Sequence, residues 1–140
     1  MELIVISMPL LLRGLYNTLI MSLGATIIAT VLGVFFALIQ IFGHLLIRAA
    51  VEVILYLIRG VPLLVLLFTM YYALLYIGYR IDPLVGGTVV IGVYFAAFMA
   101  EVFRGGLLSI ARGQWEAGFA LGLRTHQIVV NILAFQALRV

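Results

Sequence analysis

Few side chains in this sequence can do chemistry, and the missing types narrow the field. No cysteine occurs, which removes disulfide frameworks, thiol nucleophiles and cysteine-ligated zinc or iron–sulfur centres together. Two histidines, His44 and His126, and five carboxylates are scattered along 140 residues. A metal site is therefore not expected, and neither a nucleophile–base pair nor a carboxylate pair supports an enzyme. What remains are two acid–base spacings and one short aromatic helix. Glu101 and Arg104 lie three apart, on one face of a helix, where a mutual ion pair lowers the cost of inserting either charge and gating is the other use. Glu52 and Arg59 lie seven apart; they share a face only if the helix between them is continuous, and a charge pair buried in a membrane is by default functional. Between Gly113 and Gly122, the run from Gln114 to Leu121 reads as a helix with Trp115 and Phe119 one turn apart and Glu116 and Ala120 in the adjoining row. Such an aromatic pair on a short exposed helix suits a helix-in-groove contact with a partner.

The elements that must carry these residues are membrane helices. The composition is 66% hydrophobic and 9% charged, against about half and about a quarter in soluble domains, and so short a chain cannot bury that much apolar surface away from water. Eight arginines, no lysine and a formal net charge of +3 then report topology rather than nucleic-acid affinity. Met1 to Pro9 lack a basic n-region and a small-x-small cleavage site and are expected to be a short mature N-terminus.

A span needs about 20 helical residues. Between Arg13 and Arg48 lie 34 uncharged residues, predicting a first span over 15–42. A second is predicted over 60–79, with the chain broken or kinked near Gly60-Val61-Pro62 because proline lacks the amide proton and disfavours helix at the residue before it. A third covers 84–103. From 104 to 125 hydropathy drops and glycines recur, marking a water-exposed connection, and 126–140 starts another span that is too short to cross, so the chain reads as a single transmembrane domain with its C-terminal part missing. Arg48, Arg59, Arg104, Arg112 and Arg124 fall on one side against Arg13 and Arg80, which puts the 104–125 connection in the cytoplasm. Tyr71, Tyr72, Tyr76 and Tyr79 then lie at the outer headgroup level, or pack between helices. If the second helix runs inward from Arg48, Arg59 lies about 16 Å deep and could meet the carboxylate of a passing amino acid; if the break is the membrane entry, Arg59 snorkels at the interface. Ala25, Ala29, Gly33 and Ala37, and Thr88, Gly92, Ala96 and Ala100, form two small-residue stripes that predict close helix packing, within the chain rather than at a dimer interface. His126 is expected to cap a helix or touch a partner, Asn17 and Gln40 to be helix-end polar groups, and His44 has no assigned role.

Glu116-Ala117-Gly118 followed by Gly122, then Ile132-Leu133 and Gln136-Ala137-Leu138-Arg139, closely resembles the "EAA…G" cytoplasmic loop of ABC-importer permease subunits. Arg59-Gly60-Val61-Pro62-Leu63-Leu64, Ala100-Glu101-Val102-Phe103-Arg104-Gly105-Gly106 and Gly113-Gln114-Trp115-Glu116 resemble the polar amino-acid, histidine/glutamine-type branch. The resemblance runs over about residues 13 to 140. Three departures stand out: Gly118 in place of alanine, Phe135 in place of proline, and the absence of at least one further membrane helix expected after the loop.

The resemblance implies an all-α, polytopic transmembrane bundle like that of type I ABC importers, in the bacterial cytoplasmic membrane. Two permease subunits, as homodimer or heterodimer, would form the pathway, two ABC ATPase subunits would drive it, and an extracytoplasmic amino-acid-binding protein would deliver substrate. It makes Gln114, Trp115, Glu116, Ala117, Gly118, Phe119 and Gly122 the ATPase-coupling loop: Trp115 and Phe119 supply anchoring area, Glu116 a charge, and Gly122 a tight turn close to a neighbouring backbone. Glu52, Arg59, Glu101 and Arg104 become candidates for the translocation path or its gate. No Gly-x-x-x-x-Gly-Lys-Ser/Thr occurs, so ATP is expected on the partner chain and no cofactor on this one. The competing expectation is a small integral-membrane structural or assembly subunit that shares only the hydropathy.

Overall fold

The computed structural model describes residues 2–137, with side chains over 7–136. Met1, Leu138 and Arg139, which belong to the expected N-terminus and to the resemblance, lie outside the described residues. Among the described residues every regular element is helical. Helix α1, Glu2–Phe42, is 41 residues long, about 60 Å at the usual rise and about twice the hydrocarbon core. It begins well before residue 15, because Pro9, the one breaker, stands near its start and removes a single backbone bond. The expected short N-terminal stretch is thus continuous with the first span.

Helices α2, Leu45–Gly60, and α3, Leu63–Tyr76, meet at 103°. Val61 is extended, φ −97° and ψ 132°, as the residue before Pro62 must be. Helix α3 has 14 residues, about 21 Å, which is short of a crossing, so a span drawn from residue 60 is too short and must draw on α2. Gly78, φ 87°, ends α3 with the paired bonds Gly78 N–H to Leu75 C=O and Tyr79 N–H to Leu74 C=O, a Schellman closure. The tyrosine cluster beside it is exposed.

Helix α4, Pro83–Leu108, starts where sequence chemistry dictates: the Asp82 carboxylate accepts from the amides of Leu84 at 2.9 Å and Val85 at 3.2 Å, and Pro83 fills the first helical position, where no amide is needed. It lies along α1 through the two small-residue stripes. Ala25, Ala29, Gly33 and Ala37 on α1, and Gly92, Ala96 and Ala100 on α4, are all buried. A Cβ on Gly24 would meet Thr88, one on Gly92 would meet Ile28, and one on Gly33 would meet Met99. That register advances in the same direction on both helices, so α1 and α4 run parallel. The chain between them must therefore return to the starting end, which is the job of the bent α2–α3 pair. Leu55 of α2 packs with Ala97 and Ala100 of α4, beside Phe36, Val51 and Ile58. Large apolar side chains such as Leu10, Leu46 and Val53 stay exposed, as they can where the solvent is as apolar as they are.

After α4 come α5, Arg112–Ala120, α6, Thr125–Ile128, a π-helical turn, Val129–Leu133, and α7, Ala134–Ala137.

Candidate functional site

The 104–125 connection carries α5, two residues longer at its start than the predicted Gln114–Leu121. Its end is set by Gly122, φ 73°, through Gly122 N–H to Phe119 C=O and Leu123 N–H to Gly118 C=O. Nothing lies within 4 Å of a Cβ placed on Gly122. Among the described residues no neighbouring backbone makes the expected close approach, and glycine is required by the left-handed backbone of the Schellman turn.

Three contacts from three elements hold α5 from below. The Trp115 ring sits 6.2 Å from that of Phe42 at the end of α1. Gly118 is buried, and a Cβ there would meet Ile128 of α6 at 2.7 Å, so the alanine usual at this position would collide with this Ile128 side chain. The Gln136 amide N–H donates to the side-chain oxygen of Gln114 at 3.1 Å. The aromatic pair is thereby split: Trp115 turns inward and is half-buried, while Phe119, 53% exposed, stays out with Glu116 and Ala117. The helical period makes both Gly118 and Phe119 neighbours of Trp115, and the approach of Phe42 and Ile128 to the Trp115–Gly118 side decides which face is covered. Trp115, Glu116 and Phe119 border an open recess of about 500 Å³ with Ile41, Leu107 and Leu108. His126 is exposed and caps nothing; the Gln127 side chain accepts from the Arg124 amide at 2.9 Å instead.

The second feature is a charge cluster where α1, α2 and α4 meet. One Glu101 oxygen accepts from Arg104 Nη2 at 2.7 Å and Nε at 3.1 Å, as the three-residue spacing predicts. The other lies 3.3 Å from Arg59 Nη1, and Arg59 Nε also donates to the Leu55 carbonyl at 3.3 Å. These three side chains are 26–33% exposed. The Glu52–Arg59 pairing does not form: Glu52 accepts from Arg48 at 2.9 Å, because a partner one turn away is within reach whereas one two turns away is about 10 Å along the axis. Gln40, expected at a helix end, is 2% exposed and lies beside Glu101, its Oε1 without a hydrogen-bond partner among the described residues.

Sequence reasoning brought out α5 and the Glu101–Arg104 pair, quoted Gln136 only as part of the resemblance and Gln40 only as a helix-end group, and missed Phe42 and Ile128, which with Gln136 hold α5. In sequence these look like any helix residues; the one available signal is glycine at 118, which implies a bulky neighbour without saying which. Among the described residues no three His, Cys, Asp or Glu side chains group as metal ligands. The arrangement is mechanical and electrostatic: a braced surface helix joined to a bundle with a partly buried ion cluster.

Residues 29–140 match the family described as binding-protein-dependent transport system inner membrane component. The chain is 32% identical over 134 residues to "Probable amino-acid ABC transporter permease protein YckA" of Bacillus subtilis (strain 168), covering 96% of this chain and 59% of that protein. It is 33% identical over 135 residues to the glutamine transport system permease protein GlnP of Escherichia coli (strain K12), covering 95% of this chain and 62% of the relative. The chain thus spans about three fifths of the length of these relatives. Among solved structures, a crystal structure of an amino acid ABC transporter with histidines superposes with a TM-score of 0.85 at 29% identity, over 97% of this chain and 64% of the other. An inward-facing MetNI methionine ABC transporter gives 0.78 at 28%, over 94% and 64%.

Proposed function

The chain belongs to the family of binding-protein-dependent transport system inner membrane components, and from that premise we propose that it is permease sequence of an ATP-driven importer for polar amino acids, in the bacterial cytoplasmic membrane. The observation that carries this reading is α5: a helix pinned by α1, α6 and α7 on one side, with Glu116, Ala117 and Phe119 exposed on the other. A helix held so rigidly from beneath transmits a push instead of absorbing it, and its exposed aromatic and carboxylate suit a groove on an ATPase subunit. ATP binds on that subunit, and this chain contributes no catalytic group. A second permease subunit completes the pathway and an extracytoplasmic binding protein supplies the amino acid. Arg59, Glu101 and Arg104 form the gate at the inner end of the bundle, since their shared carboxylate ties α2, just before its break, to α4. Glu52, paired with Arg48 on the exposed side of α2, stands apart from that gate.

The test is a mild-detergent pull-down of the tagged chain from its own cells, scored for an ATP-hydrolysing partner, with Gly122→Asp beside it. Capture that is lost with the substitution, while membrane insertion persists, is the expected result. A chain that inserts but captures no ATPase in any form would leave a structural or assembly subunit as the better reading.

A further inference from the structure

The helix that follows the loop contains an irregularity with a specific geometric effect. Between α6 and α7 the backbone closes a π-turn over Val129–Leu133, with the Ala134 N–H donating to the Val129 carbonyl five residues back. Single π-turns are rare, and their hydrogen-bond pattern accommodates one residue more than an α-turn. Ile128 and Leu133, five apart on either side of that insertion, are both 0% exposed, whereas Val130 between them is 60% exposed and Asn131 is exposed as well. In an α-helix side chains five apart point about 140° away from one another, so both could not be buried on one side. Closing the turn at i→i+5 returns the sixth residue to a place above the first, as i→i+4 does in an α-helix.

The two residues do different work. Ile128 lies under Gly118 and fills the space where a Cβ would be. Leu133 leads into α7, which packs on α4, and three residues on Gln136 reaches back to Gln114 at the start of α5. We propose that the π-turn Val129–Leu133 is the joint of the coupling loop: it sets Ile128 and Leu133 as positioning residues on one side of a single helix, so that a displacement of α5 is delivered to α4. This rests on reading α5 as the ATPase-docking helix. Removing one residue from the turn converts it to α-helix with Ile128 and Leu133 four apart and still on one side, whereas adding one residue rotates everything beyond it by about 100°, so Ile128 and Leu133 can no longer both be seated and Gln136 leaves Gln114.

The absence of cysteine makes the geometry measurable without activity. In the full membrane-inserted chain, Gln114→Cys with Gln136→Cys is expected to be bridged by a short bifunctional thiol reagent that spans the two extended glutamine side chains they replace. Inserting one alanine after Asn131 is expected to abolish that cross-link to the level of single-cysteine chains, while Gly24→Cys with Thr88→Cys still cross-links α1 to α4. Deleting Asn131 is expected to retain the first cross-link, because the turn then closes as α-helix with Ile128 and Leu133 four apart. An undiminished α5–α7 cross-link in the insertion, or its loss in the deletion, including the case where the insertion also loses the α1–α4 link, overturns the joint. Pull-down of the ATPase is scored separately: if the unaltered chain captures none while the cross-links behave as stated, the docking reading has failed and the geometric one stands. With capture, the alanine insertion should retain ATPase binding and lose substrate transport, whereas the Asn131 deletion should retain both.

Discussion

The guanidinium of Arg59 on α2 lies 3.3 Å from the carboxylate of Glu101 on α4, the same carboxylate that receives two N–H groups of Arg104. One acid thus serves two bases, and the consequences of deleting each are unequal. Glu101→Gln leaves two partly buried guanidinium groups facing one another, whereas Arg59→Gln leaves the Glu101–Arg104 pair intact. At this intermediate exposure Glu101→Gln should cost about 1–2 kcal/mol and Arg59→Gln less than half of that. Glu52→Gln, in an exposed one-turn pair, is the control. Thermal midpoints in detergent check the order, and a larger loss for Arg59→Gln would contradict it.

The parallel α1–α4 contact depends on absent side chains. A Cβ on Gly33 would come within 2.5 Å of Met99 Cβ and 3.2 Å of the Ala100 backbone nitrogen, and one on Gly92 within 2.7 Å of Ile28. Gly33→Ala and Gly92→Ala should each destabilise by about 1–3 kcal/mol through overpacking. Gly105→Ala, on α4 with nothing within 4 Å of the added carbon, should be neutral or stabilise by up to about 1 kcal/mol. Denaturation in mixed micelles distinguishes the sites, and equal effects at all three would mean that helix propensity, and not contact, governs.

Gly118 and Ile128 should be coupled. Gly118→Ala pushes a methyl group into the Ile128 side chain, and Ile128→Ala alone opens a cavity costing about 2–5 kcal/mol. Made together, the new methyl partly fills the space, so the double variant should lose less than the sum of the singles by about 1 kcal/mol. Hydrogen exchange of the α5 amides reads this directly. Additive effects would mean the two do not touch in solution.

Gly122 is held by backbone conformation in open space, φ 73° with no neighbour within 4 Å. Gly122→Val should therefore destabilise the end of α5 by about 1–2 kcal/mol, and Gly122→Asn by clearly less, since asparagine tolerates the left-handed region. Exchange rates at Leu121 to Arg124 report it; the same loss for both variants would point to an unseen contact.

Much of this molecule was legible in its sequence because the rules concerned are local. The interval between charges located the apolar helices, Pro62 located the break, and a three-residue spacing joined Glu101 to Arg104. Each needs only the chain's own rise, period and missing amide protons. The small-residue stripes at every fourth position announced close packing, although not which stripe met which.

The tertiary structure decided what depends on residues far apart in the chain. Arg59 was within sequence reach of Glu52, yet the bend at Val61–Pro62 and the packing of Leu55 on Ala97 and Ala100 carry its guanidinium to Glu101. Trp115 and Phe119 share a helical stripe in sequence, but the approach of Phe42 and Ile128 from other elements turns one inward and leaves the other out. The π-turn joins two buried side chains, Ile128 under α5 and Leu133 at the start of α7, spaced five residues apart on a helix whose own period would separate them. Hydropathy and local stereochemistry fix which segments are helices and where they stop, because those energies accrue within a few residues; which faces meet is set by long-range packing, which no single segment records.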